Sequence, residues 1–206
     1  MKNNVIVSLA DSNYFELLNE LINSIKSFNE SSDVAICILD AGLTEEQKNL
    51  LSKKVEEIKS AEWDIEVPGY KVRGKEWLKS QVSRAFLTKY FPNYKKYLWI
   101  DCDAWVQDWS SIELYFKACE NGKLGITQTM GSGYKITSKV KWIFGKIASV
   151  KSQNFKHALS SKIGIDKARK LAFAPHINIG VFSLEKESSC WKSWQDNLFQ
   201  TLNAGK

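Results

Sequence analysis

Two carboxylates one residue apart, Asp101 and Asp103, close the apolar half of the string YLWIDCDAWVQD at 97–108. The residues before them, Tyr97 to Ile100, are apolar or aromatic and read as a buried strand. Side chains two apart on a strand share a side, and in an open α/β sheet ligands collect at the carboxyl ends of the strands. Two carboxylates facing such a crevice suit a hard divalent cation with oxygen ligands, Mn²⁺ or Mg²⁺, and that cation could hold a diphosphate. The plainer alternative is that both merely punctuate a strand end, although two unpaired carboxylates beside a buried strand are costly. Asp108 reads as the cap of the next helical turn. Arg84 lies among Trp77, Leu78, Val82, Ala85, Phe86, Tyr90 and Phe91, an apolar helical setting in which a guanidinium needs an anionic partner.

Such residues must be brought to one edge by the strands that carry them. VIVSLA at 5–10 is a β-branched run, followed by Asn13 and Glu16 at capping-box spacing and the helical stripe Leu17, Leu18, Leu21, Ile22, Ile25. The alternation repeats. DVAICIL at 33–39 precedes Thr44 and Gln47, a second capping box for a helix to about Ser60, and WDIEVP at 63–68 precedes a helical stretch over 75–91. KYLWID at 96–101 is the fourth strand, ahead of a helix over 111–120 with Ser110 and Glu113 as cap; KLGIT at 123–127 and NIGVFSL at 178–184 follow, then a last helix over 187–203. Alternation of this kind predicts an α/β fold with a mostly parallel central sheet and helices on both faces.

With 206 residues, 44% hydrophobic and 25% charged, the chain lies in the range of ordinary globular proteins, which excludes disordered and collagen-like readings. One domain spanning 1–206 is expected from this length. Apolar runs such as VIV and AICIL are too short to span a bilayer, and MKNNVIVSLAD lacks the apolar stretch of a signal peptide, so the expected location is the cytoplasm. Cys37, Cys102, Cys119 and Cys190 have no CxxC spacing and read as reduced thiols. The formal charge is +6, yet residues 131–175 hold ten Lys/Arg against the single Asp166. That segment reads as a basic, largely helical insertion, with Val140, Ile143, Phe144, Ile147 and Val150 as a helical stripe and Lys139, Lys141 and Lys146 mostly off it. A stripe of this kind suits either burial against the core or peripheral contact through 139–151 with an anionic surface, at the inner face of a membrane or on a lipid-linked acceptor.

Four stretches in order, VSLADSNY at 7–14, SRAFLTKYFPNYKKYLWIDCDAWVQD at 83–108, KLGIT, and HINIGVFSL at 176–184, resemble glycosyltransferase family 8, the glycogenin and galactosyltransferase relatives with the GT-A (Rossmann-like) fold. The resemblance implies that Asp101 and Asp103 are the DxD motif, binding Mn²⁺ (or Mg²⁺) that bridges the diphosphate of a UDP-sugar. It also places Asp11 against the uracil edge and Tyr14 on the ring; in physical terms a carboxylate accepts from a ring N–H and a Tyr face stacks on a base. The alternative for this pair is that Asp11 caps the first helix and Tyr14 packs on it. By the same resemblance Arg84 contacts the diphosphate and the acidic motif, while Asn178 and Gly180 form a strand edge beside the donor sugar, so that Arg84 and Asn178 are the candidate catalytic residues. The implied reaction is metal-dependent transfer of a hexose from a UDP-sugar to a hydroxyl acceptor on a glycan, lipid-linked sugar or lipopolysaccharide, with retention of configuration. The family's later HxxGxxKPW-like segment, which carries a histidine metal ligand, has no counterpart here, and neither His157 nor His176 maps onto that ligand. A C-terminally truncated piece, or a short relative that completes its metal shell with water, is expected.

Two other classes compete. A haloacid dehalogenase-type phosphatase also ends a strand in DxD, as nucleophile and acid/base, but Trp105 stands where that family wants Thr or Val, and 131–206 lacks its acidic pair. A basic adaptor binding RNA or membrane through 131–175 would leave the paired aspartates unexplained, and no nucleic-acid motif supports it.

Overall fold

The computed structural model describes residues 2–66, 69–75, 78–129 and 138–204. The chain forms two compact units, Met1–Ile126 with Ile179–Gln195, and Thr127–Asn178 with Asp196–Lys206. In chain order the elements are β1 (Asn4–Ala10), α1 (Phe15–Lys26), β2 (Val34–Asp40), α2 (Glu45–Leu51), β3 (Glu57–Ser60), α3 (Gly69–Val72), α4 (Lys79–Ser83), α5 (Leu87–Tyr90), β4 (Lys96–Ile100), α6 (Trp109–Ala118) and β5 (Gly125–Gln128). After them come β6 (Ser138–Ile143), β7 (Lys146–Ser152), α7 (Gln153–Ser160), α8 (Ile165–Leu171), β8 (Ile177–Glu185) and α9 (Cys190–Ala204).

The central sheet has the order β3-β2-β1-β4-β8-β5. β3, β2, β1 and β4 run parallel, and β8 returns antiparallel to β4 with Ile100 opposite Val181. Strand alternation sends Ile6, Ile36, Ile38, Leu98 and Ile100 into a core with Leu18, Leu21, Ile22 and Ile25 of α1 and Ile112 and Phe116 of α6. Val5, Val7, Leu9, Cys37, Leu39, Tyr97 and Trp99 go to the opposite face, against Leu87, Tyr90, Phe182 and Trp191. Coverage of both faces is why these strands are apolar throughout, and each such buried side chain contributes about 1.5–3 kcal/mol. The mostly parallel sheet with helices on both faces is as the sequence implied.

Several local expectations need correction. The third strand is Glu57–Ser60, not WDIEVP: residues 63–66 form no strand, and 67–68 lie outside the described residues. β3 pairs only with β2, so it lies at the sheet edge and has no need of an apolar run. The Thr44 and Gln47 capping box forms as read. Asn13 and Glu16 form none, because the Asp11 carboxylate takes the backbone N–H groups of Asn13 and Tyr14 instead, at 2.9 and 3.2 Å. At the sixth helix the cap is Asp108, which accepts from Ser110 N at 2.9 Å, not Ser110 itself. The stretch over 75–91 is broken into α4, a 3₁₀ turn at Arg84–Phe86 and α5.

In the second unit the stripe over 140–150 is not helical. β6 and β7 form an antiparallel hairpin whose two-residue turn is Phe144-Gly145, both at positive φ (49° and 73°), the signature of a type I′ turn. α7 and α8 are the helical parts of the basic segment, and residues 130–137 lie outside the described residues. Among the described residues no helix is long and apolar enough to cross a membrane.

Candidate active site

β1 and β4 are neighbours and parallel, so their carboxyl ends bring Asp11 and Asp101 to the same edge of the sheet. Gly180 joins them from the antiparallel β8, its carbonyl accepting from Asp101 N at 2.8 Å. A cavity of about 410 Å³ opens there, lined by Leu9, Ala10, Asp11, Asn13, Tyr14, Ser80, Gln81, Arg84, Trp99, Asp101, Cys102 and Asp103. Five residues singled out from the sequence, Asp11, Tyr14, Arg84, Asp101 and Asp103, thus meet on one cavity.

Arg84 is 3% exposed. Its Nε donates to Ser80 O at 2.7 Å and Nη1 to Ile179 O at 3.2 Å, while Nη2 lies 3.4 Å from Asp101 Oδ1. The guanidinium carbon sits 4.9 Å over the Trp99 ring, and Trp99 Nε1 donates to Asp101 Oδ1 at 2.6 Å. Trp99 is itself held by stacking on Phe182. The expected anionic partner of Arg84 is therefore Asp101. Burial pushes the Asp101 carboxyl above the usual range, opposed by Arg84 and the Trp99 indole and assisted by Asp103. Burial likewise lowers the Arg84 pKa, against the pull of Asp101. Each charge is thus costly in its surroundings and offset by the other.

Both side-chain contacts of Asp101, from Trp99 and Arg84, fall on Oδ1. Asp103 is exposed and takes no hydrogen bond or ion pair from the described residues. One free carboxylate beside one half-engaged carboxylate is a hard oxygen donor set that fits a divalent cation. Among the described residues no group of three or more His, Cys, Asp or Glu could hold a metal. Cys102 between them has its thiol pushed up to about 12 by burial and by the flanking Asp103 and Asp101, which keeps it protonated at neutral pH.

Asp11 divides its carboxylate: Oδ1 holds the turn into α1, leaving the other oxygen for a ligand. Tyr14, next to it, is 47% exposed, as a stacking platform must be and a core residue is not. Asn178 is exposed and belongs to the second unit, and both histidines are exposed. The sequence reading missed Ser80 and Gln81. They lie four and three residues before Arg84, the spacing that puts helical residues on one face, so the signal was available.

No curated protein matches the chain in sequence. A family model described as Glycosyl transferase family 8 matches residues 5–178. Among solved structures, the apo bifunctional glycosyltransferase WbbM is 15% identical with a TM-score of 0.61, the match covering 98% of this chain and 35% of that one. The mannosyltransferase Ktr4p of S. cerevisiae is 10% identical with a TM-score of 0.59, over 98% of this chain and 61% of that one. The galactosyltransferase LgtC, solved with donor and acceptor sugar analogues, is 15% identical with a TM-score of 0.54, over 98% and 69%. At these identities the likeness is one of fold, and the fold is that of the GT-A glycosyltransferases.

Proposed function

Since this chain belongs to glycosyltransferase family 8 and is a sugar-transferring enzyme by that membership, we propose that it moves a hexose from a UDP-sugar to a hydroxyl acceptor, with a divalent metal, Mn²⁺ or Mg²⁺, held by Asp101 and Asp103. The observation that carries this reading is the convergence of Asp11, Tyr14, Arg84, Asp101 and Asp103 on one cavity at the carboxyl ends of β1 and β4. A bound metal supplies Lewis-acid stabilisation of the negative charge that develops on the departing diphosphate.

The chain's own residues do the rest. The exposed Tyr14 ring offers a stacking face for uracil, and the free Asp11 oxygen accepts from its ring N–H. Arg84 spends up to three of its five N–H groups on Ser80, Ile179 and Asp101, which fixes Asp101 and places a buried cation beside the charge that leaves. With so much of its fork engaged inside the chain, Arg84 positions the first aspartate and contributes field, with at most two N–H groups left for phosphate oxygens. Gly180 keeps the role the family resemblance implies, a strand edge for the donor sugar. Retention of configuration and an acceptor drawn from glycans, lipid-linked sugars or lipopolysaccharide belong to the same proposal, as does a cytoplasmic location. The phosphatase and adaptor readings are not favoured, since the family match takes in both Asp11 and the paired aspartates.

Calorimetry of the full chain with UDP, GDP and inorganic phosphate, each with and without Mn²⁺, tests the proposal. UDP is expected to bind best and only weakly without metal, and Asp103→Asn to lose at least tenfold of the metal-supported affinity. Equal binding of every nucleotide with and without Mn²⁺ would remove the donor-site reading.

A further inference from the structure

The β6–β7 hairpin divides its chemistry between two faces. Strand alternation puts Lys139, Lys141 and Ile143 on one face and Val140 and Trp142 on the other. Residues paired across an antiparallel ladder share a face, so the register adds Lys151 and Lys146 to the basic face and Ile147 to the apolar one. On the apolar face Val140 is 44%, Trp142 60% and Ile147 57% exposed among the described residues. At the tip Phe144 is 100% exposed and sits at φ 49°, a region that bulky side chains avoid. A type I′ turn ordinarily takes Asn or Gly at that position. An aromatic ring held wholly in solvent on unfavourable backbone contributes nothing to folding, and its place in the molecule points to a contact.

We propose that this hairpin is a peripheral membrane anchor. It enters tip first, seating Phe144, Trp142 and Ile147 in the interfacial layer of an anionic bilayer while Lys139, Lys141, Lys146 and Lys151 reach the headgroups. Charge selects this occupant. Residues 138–152 carry four lysines and no acidic residue, and none of the four has an ion-pair partner among the described residues. A second copy docking hairpin to hairpin would bring eight such cations together, whereas anionic headgroups neutralise them. Trp is the residue that membrane interfaces favour, and an exposed apolar edge flanked by lysine is the composition of interfacial anchors.

Co-sedimentation of the full chain with vesicles, at low ionic strength, decides the matter. Wild type is expected to bind mixed phosphatidylglycerol and phosphatidylcholine vesicles, not pure phosphatidylcholine, with binding weakened by added salt. Phe144→Gly should cost at least about tenfold in partitioning; glycine accepts the positive φ, so the turn survives while the ring is lost. Replacing Lys139, Lys141, Lys146 and Lys151 together by Ser should cost on the order of several hundredfold, about fivefold for each lysine near an anionic surface. Should the fourfold variant fail to fold, Phe144→Gly alone decides. Absence of wild-type binding to the mixed vesicles overturns the proposal, as does a Phe144→Gly variant that binds like wild type, or a solution dimer that this substitution dissolves.

Discussion

Replacing Arg84 with Met removes the guanidinium from the middle of the site while keeping a long apolar side chain over Trp99. The structure sets the size of the effect. Hydrogen bonds from a charged donor contribute about 1.5–3 kcal/mol each, and two are lost, to the carbonyls of Ser80 and Ile179. Methionine restores part of the apolar contact, so the lower figure applies, about 3 kcal/mol in all. The Asp101 contact adds little, since it is 3.4 Å long and the Asp101 side chain is 37% exposed. For a chain of this size, 3 kcal/mol lowers Tm by roughly 6–12 °C, measurable by circular dichroism. A second consequence concerns pH. Arg84 is the largest influence opposing the burial that raises the Asp101 pKa, so its removal lets that pKa climb further. A carboxylate must be deprotonated to ligate a metal, and the pH midpoint of Mn²⁺ binding, read by calorimetry, therefore moves upward in Arg84→Met. A variant with unchanged Tm and an unchanged midpoint would refute the role given to Arg84 here.

Tyr14→Ala should weaken UDP binding roughly fivefold to a hundredfold, the value of one stacked base at about 1–3 kcal/mol, with Tm within about 1 °C because the ring is already half exposed; a large Tm loss would mean that Tyr14 is a packing residue. Gly125→Ala tests the junction of β5 with α6 and β8. The added Cβ would lie 2.2 Å from Ser183 Oγ and 3.1 Å from Ala118 Cβ, and Ser183, which donates to Tyr115 O at 2.6 Å, is fully buried. Urea unfolding should show a loss of about 1–3 kcal/mol, and an unchanged midpoint would show that the junction yields freely.

The parallel strands β1, β2 and β4 were legible because each is buried on both faces, and largely unbroken apolar sequence satisfies that. β3 was not, since Glu57–Ser60 pairs on one side alone and its polar residues continue the helical pattern of LSKKVEE. The hairpin was misread for a different reason. Val140, Ile143, Phe144 and Ile147 satisfy helical spacing, but the alternation Lys139-Val140-Lys141-Trp142 and the Phe144-Gly145 turn outweigh it, because two positive-φ residues end any helix while they close a hairpin. At the site, Asp101, Asp103 and Arg84 could be read from carboxylates at a strand end and a cation in an apolar helix. The ion pair between Arg84 and Asp101 could not, because it depends on where two distant segments meet. Asp11 shows the same limit: its position was legible, but the capture of Asn13 and Tyr14 amides by its carboxylate displaced the capping box that residue types alone favoured.

The antiparallel return of β8 has a consequence for when the enzyme becomes competent. Gly180 holds the amide of Asp101, and the carbonyl of Ile179 holds Arg84 across 95 residues of sequence. The three parallel partners β1, β2 and β4 are complete by Ile100, so their pairing can precede β8 during synthesis, which proceeds at about 5–20 residues per second. The acidic edge is therefore present early as sequence and late as geometry, and a nascent chain lacking its last strand has the aspartates without the scaffold that orients them.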